Sequence, residues 1–284
     1  NGPGEYKDIG SIDVNPANGE LYLKEMNRQQ IHVYSLDGKF KHSFTFPEGK
    51  RMSRMCLFSP DYLIAEQESK VPDDQDANFY PYLLVPTRDG HLDSLDYVQK
   101  RNILVKLIVN AENHSYAYLL EPSLIRNGSR FYIGNPDSDT LFAMNPDRTL
   151  EPLLVRTPSH SEEGNKYGLF LRGAAGAYFF LTKQPMEVPM NSIESLDLKS
   201  EEWLYDCRTQ EVCRYLLKNK DDASKRVEGI MFFCYPEDCG LAVLKSEDLM
   251  DAYEAGQLSG ELKEIAAGLK ADDNPVLMLI HFKK

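Results

Sequence analysis

The chain has 284 residues, of which 42% are apolar and 11% aromatic, and its 44 acidic residues against 32 Lys and Arg give a formal net charge of −12. The basic residues are scattered along the chain instead of gathered into a stripe, which excludes the electrostatic footprint of a nucleic-acid binder. The longest unbroken apolar run, Pro275 to Ile280, falls far short of the about 18 residues that a membrane-spanning helix needs.

Residues 1–8 form a loop punctuated by Gly and Pro that leads into a strand, Gly10 to Val14. The stretch from Asn18 to Pro47 then sets a pattern for the rest of the chain. Gly19-Glu-Leu-Tyr-Leu-Lys, Ile31-His-Val-Tyr-Ser-Leu and Lys39-Phe-Lys-His-Ser-Phe-Thr-Phe46 each alternate apolar and polar residues, as strands with one buried face do. Asp37-Gly38 between the last two predicts a tight type I′ hairpin turn, with positive φ at both central positions.

Shifting the sequence by 110 residues lays Leu21-Tyr-Leu on Phe131-Tyr-Ile, Ile31 on Leu141, Val33 on Ala143, Asp37 on Asp147 and Phe40 on Leu150 without a gap. A further copy runs through Tyr62-Leu-Ile and Leu83 to Leu92, after an acidic insertion at Asp73, Asp74 and Asp76. Another runs through Gly176-Ala-Tyr-Phe-Phe180 and Trp203 to Val212, split by a loop containing Pro185, Pro189 and Asn191. Repeats of this size made of strands and turns predict propeller blades, here over 9–46, 52–97, 116–157, 168–217 and 227–245. The innermost strand of each would be its first: Gly10 to Val14, Ser53 to Phe58, Pro122 to Asn127, Gly168 to Gly173 and Gly229 to Cys234.

The last part changes character. Ser246 is expected to cap a helix carrying Leu249, Met250 and Tyr253 and stopped by Gly256. Ser259 is expected to cap a second helix with an apolar stripe of Leu262, Ile265, Ala266 and Leu269, which makes 246–270 a helical insert. A closing strand over 275–282 would share a blade with strands from the N-terminal side, since ring closure removes exposed edges. The predicted fold class is therefore all-β: a six-bladed β-propeller as one domain over 1–284, its N-terminal blade incomplete in this chain, with two short helices before the closing strand.

Of the five cysteines, Cys207 and Cys213 flank one predicted turn and Cys234 and Cys239 another, while Cys56 stands apart. Either pair could bridge across its hairpin, or remain as small buried or surface thiols. No nucleophile elbow, zinc-protease, phosphate-loop or calcium-loop pattern occurs. Asp73, Asp74 and Asp76 read as a solvated loop, and Asp137 and Asp139 near Asn135 as turn residues bonded to their own backbone. His32, His42, His91, His114, His160 and His281 show no ligand spacing, so no metal, cofactor or catalytic residue is called for. One feature stands out in an acidic chain: Arg54, Arg126 and Arg172 fall on three different innermost strands. If they converge they would form a ligand site for carboxylate or phosphate groups; the alternative is that each pairs with a local acid. Tyr6, Tyr167 and Tyr178 could add aromatic walls.

Asn1-Gly-Pro-Gly-Glu-Tyr6, Ser138-Asp-Thr-Leu-Phe142 followed by Leu150-Glu-Pro152, and the ending with Asp273-Asn-Pro-Val-Leu277 together resemble the bacterial six-bladed β-propeller lipoproteins of the NHL/TolB-like kind. The resemblance runs over essentially the whole chain. It implies an exported precursor residing in the periplasm or at the outer cell surface, attached to the membrane through a lipid anchor in a segment preceding Asn1. Most members of the family carry no assigned reaction. The expected function is a noncatalytic extracytoplasmic binding propeller, acting as a monomer on a small anionic ligand or a protein partner. The alternative is a metal-dependent enzyme resembling the propeller lactonases and lyases, which would need several acids on the axis. The innermost strands offer Asp13 and few others.

Overall fold

The structure, a computed structural model, describes residues 5–46, 51–67, 81–88, 91–95, 105–110, 115–119, 124–134, 138–162, 164, 166–189, 200–223, 227, 230–232 and 238–283. The chain divides into two compact units, residues 1–102 and 103–284. Among the described residues the strands form six sheets, and four of these contain four strands in a meander.

In the first unit, β1 (Ile9–Asn15), β2 (Glu20–Glu25), β3 (Gln30–Ser35) and β4 (Phe40–Thr45) pair antiparallel in chain order. The strands β5 (Met52–Ser59), β6 (Tyr62–Gln67), β7 (Tyr82–Pro86) and β8 (Asp93–Ser94) repeat that arrangement. Leu63, Ile64 and Ala65 follow one another along β6 and are all fully buried, so both faces of that strand are covered. Tyr22, Ile31 and Val33 of the first sheet interleave with Met55, Leu57, Leu63 and Val85 of the second to make one core. The strand β1 runs beside β5, and the Asp13 carboxylate accepts the Leu57 N–H across that seam at 2.5 Å.

In the second unit β9 (Val105–Asn110) pairs with β10 (Ser115–Leu119), and two meanders follow. The first contains β11 (Leu124–Asn127), β12 (Arg130–Ile133), β13 (Thr140–Met144) and β14 (Leu150–Val155). The second begins with β15 (Tyr167–Ala175) and β16 (Tyr178–Pro185); β17 (Glu187–Pro189) then leaves it to add, parallel, to the edge of β9. The meander resumes with β18 (Glu201–Asp206) and β19 (Glu211–Arg214). Tyr132, Leu141 and Ala143 pack on Leu171, Phe179 and Leu181 between the two meanders, with the rings of Tyr132 and Phe179 edge to face at 4.8 Å. The last sheet holds β20 (Met231–Phe232), β21 (Cys239–Leu244) and β22 (Val276–His281), with α1 (Ser246–Glu254) and α2 (Gly260–Ala266) between the final two strands.

One polar contact recurs between neighbouring meanders. Asn15, buried at the end of β1, donates its side-chain N–H to Pro60 O in the first turn of the next sheet at 2.9 Å. Asn127, buried at the end of β11, does the same to Gly176 O at 3.0 Å. Within three of the sheets a matching backbone bond ties the end of the third strand to that same first turn: Leu36 N–H to Gly19 O, Thr87 N–H to Asp61 O and Cys207 N–H to Ala177 O, at 3.0–3.2 Å.

Several expectations need correcting. The sheet expected over 116–157 begins at Leu124, because residues 115–119 belong to β10 and pair with β9. The segment read as a loop through Pro189 supplies β17. The Asp37-Gly38 turn is not type I′: only Gly38 has positive φ, at 82°, and Gly38 N–H bonds Ser35 O while Ser35 N–H bonds Lys39 O. This is the three-residue loop with one left-handed residue, and Arg148 (φ 73°) repeats it between Asn145 and Thr149. Ser246 caps nothing. It is the first residue of α1, and its hydroxyl donates to Asp273 O and Asn274 O, which pins the helix to the turn before β22. Ile265, expected in the buried stripe of the second helix, is 38% exposed, while Leu262 and Ala266 are buried with Leu249 and Leu258. Neither disulfide forms: Cys207, Cys213 and Cys239 are free thiols, and Cys234 lies outside the described residues. Cys213 sits opposite Leu204 in the register of β18 and β19, whereas Cys207 has already left the strand, so the two thiols are not cross-strand partners.

Two outcomes are expected in unfolding experiments. Asn127→Ala leaves Gly176 O without its buried donor and lowers stability by about 1–3 kcal/mol in urea titration. Burial, reinforced by the neighbouring Glu20 carboxylate, pushes the Tyr22 phenol up to about 12. An unfolded Tyr titrates near ~10, so the stability this group contributes is complete below that pH and is lost as pH rises toward 12. Between those values the wild type loses up to about 1.4 kcal/mol per pH unit relative to Tyr22→Phe.

Candidate functional site

All three arginines singled out by the sequence lie on first strands of four-stranded sheets. Arg54 is on β5 in the first unit, exposed, with Glu66 as its cross-strand partner. In the second unit β11 lies beside β15, which places Arg126 and Arg172 on neighbouring first strands. Both are half-buried. Arg126 Nε donates to Gly128 O at 3.0 Å, and its guanidinium lies 5.7 Å from the centre of the Phe131 ring. Arg172 Nη2 donates to Gln184 Oε1 at 2.8 Å, with the Phe170 ring at 5.2 Å. Gln184 is itself buried, so the second guanidinium is held by a fixed acceptor. A planar guanidinium that lies over a ring and donates to a fixed oxygen keeps a defined direction.

The other candidates have structural assignments. Asp13, on the first strand β1, spends its carboxylate on the Leu57 and Val14 N–H groups. Asp139 accepts the His160 N–H, 21 residues further along the chain, so it ties two segments together and does not bond its own local backbone as expected. Asp73, Asp74, Asp76, Asp137 and His114 lie outside the described residues. Tyr6 is exposed, while the rings of Tyr167 and Tyr178 are faced by Lys183 and Arg208 at 5.0 and 4.9 Å. A cavity between the two meanders of the second unit, lined by Gly134, Asp139, Arg156, Leu169 and Leu181, holds about 20 Å³, room for a single water.

Two groups of polar side chains were not anticipated. Glu25 and His32 are almost completely buried on β2 and β3, where Glu25 accepts the Lys7 N–H at 3.0 Å and lies 3.6 Å from Arg28 Nε and 3.8 Å from His32 Nε2. In the second unit Asp238, Cys239 and His281 meet at the ends of β21 and β22, with their donor atoms all within 4.8 Å of one another. Cys239 Sγ is 3.1 Å from His281 Nδ1 and 3.8 Å from Asp238 Oδ1. Burial, and after it the Asp238 carboxylate, pushes the Cys239 thiol up from its ordinary range. A buried, protonated thiol is a poor nucleophile.

A domain of unknown function, DUF4934, matches residues 1–281. The chain belongs to that family. No functionally curated protein matches the sequence. Among solved structures, a candidate exported protein of Bacteroides fragilis superposes with a TM-score of 0.67 at 14% identity, covering 100% of this chain and 80% of the other. A member of the DUF4221 family from Bacteroides vulgatus superposes at 0.52 with 9% identity, covering 99% and 81%. At these identities the likeness is one of fold.

In this DUF4934 chain the arginine positions were readable from sequence because each lies on a strand preceding a recognisable Tyr- or Phe-bearing strand. Cys239 and His281 were not, because the register of β21 and β22 joins residues 42 apart. The exposures order the thiols by reactivity. Alkylation at mildly alkaline pH, mapped by mass spectrometry, is expected to modify the exposed Cys207 and Cys213 first, with Cys239 at least about tenfold slower until urea unfolds the chain. Equal rates would remove the burial assigned to Cys239.

Proposed function

We propose that this chain is a six-bladed β-propeller that works outside the cytoplasm as a binding protein, and that the arginines of its first strands receive the carboxylate or phosphate groups of a small ligand. Repeated four-stranded meanders, with their first strands side by side within each unit, support the propeller. The candidate exported protein of Bacteroides fragilis, and the resemblance to exported propeller lipoproteins, support the location. The observation that carries the ligand class is the pair Arg126 and Arg172 on neighbouring first strands, each donating to a fixed oxygen and lying over an aromatic ring. Guanidinium groups so held match the bidentate geometry of carboxylate and phosphate. The acidic net charge would repel such ligands at long range, so binding depends on short-range hydrogen bonds and its salt dependence is modest.

The test is a thermal-shift and calorimetric screen of dicarboxylates, sugar acids and phosphates against the wild type and the double variant Arg126→Ala/Arg172→Ala. A binder whose affinity falls by about tenfold to a hundredfold per lost charge-assisted contact supports the reading. A binder unaffected by the double variant, or a set of hits that are all neutral or cationic, would sink it.

A further inference from the structure

Independently of the arginines, we propose that Asp238, Cys239 and His281 form a binding site for a zinc-type divalent ion, built on the paired ends of β21 and β22. The two strands are antiparallel with Cys239 directly opposite His281, and the bond from Phe282 N–H to Asp238 O, at 2.8 Å, closes the ladder beyond that pair. The backbones of all three residues are therefore fixed before any ion arrives, as a preorganised site requires.

The geometry suits the ion. Zinc bonds of about 2.3 Å to sulfur and about 2.0–2.1 Å to nitrogen or oxygen, at tetrahedral angles, place donor atoms roughly 3.5 Å apart. The observed separations from Cys239 Sγ, 3.1 Å to His281 Nδ1 and 3.8 Å to Asp238 Oδ1, lie on either side of that value. Small side-chain rotations bring them to it. Sulfur and imidazole donors favour zinc and its neighbours over calcium or magnesium, which take oxygen ligands. Three protein ligands leave a fourth position for water or an incoming ligand, and the exposure of His281 beside the half-buried Asp238 directs it toward solvent. On binding, the Cys239 S–H bond breaks, its proton leaves to solvent and a sulfur–metal bond forms. No electrons are transferred. The ion would clip the start of β21 to the end of β22 and so close the segment that carries α1 and α2.

The competing description is a plain thiol–imidazole hydrogen bond, and metal titration separates the two. The reduced, chelator-stripped chain is titrated with Co²⁺, following the near-ultraviolet thiolate-to-cobalt absorption, and then with Zn²⁺ in competition with a chromophoric chelator. The expected result is one equivalent bound, with the sulfur band lost in Cys239→Ser and affinity reduced by about a hundredfold or more in His281→Gln. Because His281 is exposed, the second variant keeps the fold, which circular dichroism checks. Cys207→Ser/Cys213→Ser leaves the band and the affinity unchanged. Absence of a sulfur band, or a band that survives Cys239→Ser, overturns the proposal.

Discussion

The constraint on which the structure depends is that the second strand of each meander is buried on both faces. In β2, β6, β12 and β16 the buried residues run consecutively instead of alternating, as with Leu63, Ile64 and Ala65 or Phe179, Phe180 and Leu181. A sheet of four short strands can cover one such face with its own turns and neighbours, but not both. It must stack on another sheet. In the first unit that demand is met by Tyr22, Ile31 and Val33 against Leu63 and Val85, and in the second by Tyr132 and Leu141 against Phe179 and Leu181. The repetition of the sequence is the outcome of one packing problem solved several times.

Stacking fixes separation but leaves sliding nearly free, because apolar contact is not directional. The buried asparagines supply direction. Asn15 and Asn127 each reach from the end of a first strand to the turn carbonyl of the next sheet, so a slip along the strand would strand a buried donor and a buried acceptor together. Asp13 does the same work between β1 and β5. The buried Lys24, whose ammonium donates to Glu25 O at 3.2 Å, and the Glu25 and His32 pair put further polar groups in the first sheet. Groups of this kind add little net stability, but they penalise every arrangement in which they lose their partners.

Alternation, turn residues and the internal repeat were sufficient to locate β1 to β7, β11 to β16, β18 to β20, both helices and β22, because each is a local pattern of a few residues. What escaped the sequence is non-local. The pairing of β17 with β9 joins Val188 to Leu107, and nothing in either segment marks a parallel partner some eighty residues away. The hairpin at Asp37-Gly38 was located but mistyped, since the dipeptide is compatible with two loops and only the pairing of Ser35 with Lys39 tells them apart. Tyr167 and Tyr178 look like ligand walls until Lys183 and Arg208 are seen on their faces. Cys239 was weighed against Cys234, its neighbour in sequence, whereas its partner in space is His281.

This division explains where polar chemistry can sit. Second strands take polar side chains only where a partner is built in, as for Lys24 on the Glu25 carbonyl and Gln184 under Arg172, because an unpartnered one among Phe131, Tyr132 and Ile133 would lose its water with nothing in return. First strands are only partly buried: Arg54 is exposed, and Arg126 and Arg172 are half-buried. Their backbones are held by the stacked second strands while their side chains are free to differ. The ends of β21 and β22 have the same property, with His281 at the surface, Asp238 half-buried and Cys239 behind them. A rigid apolar layer thus positions residues it does not itself specify. In this architecture recognition groups belong on first strands and strand ends, where an arginine or a histidine adds chemistry without disturbing the core.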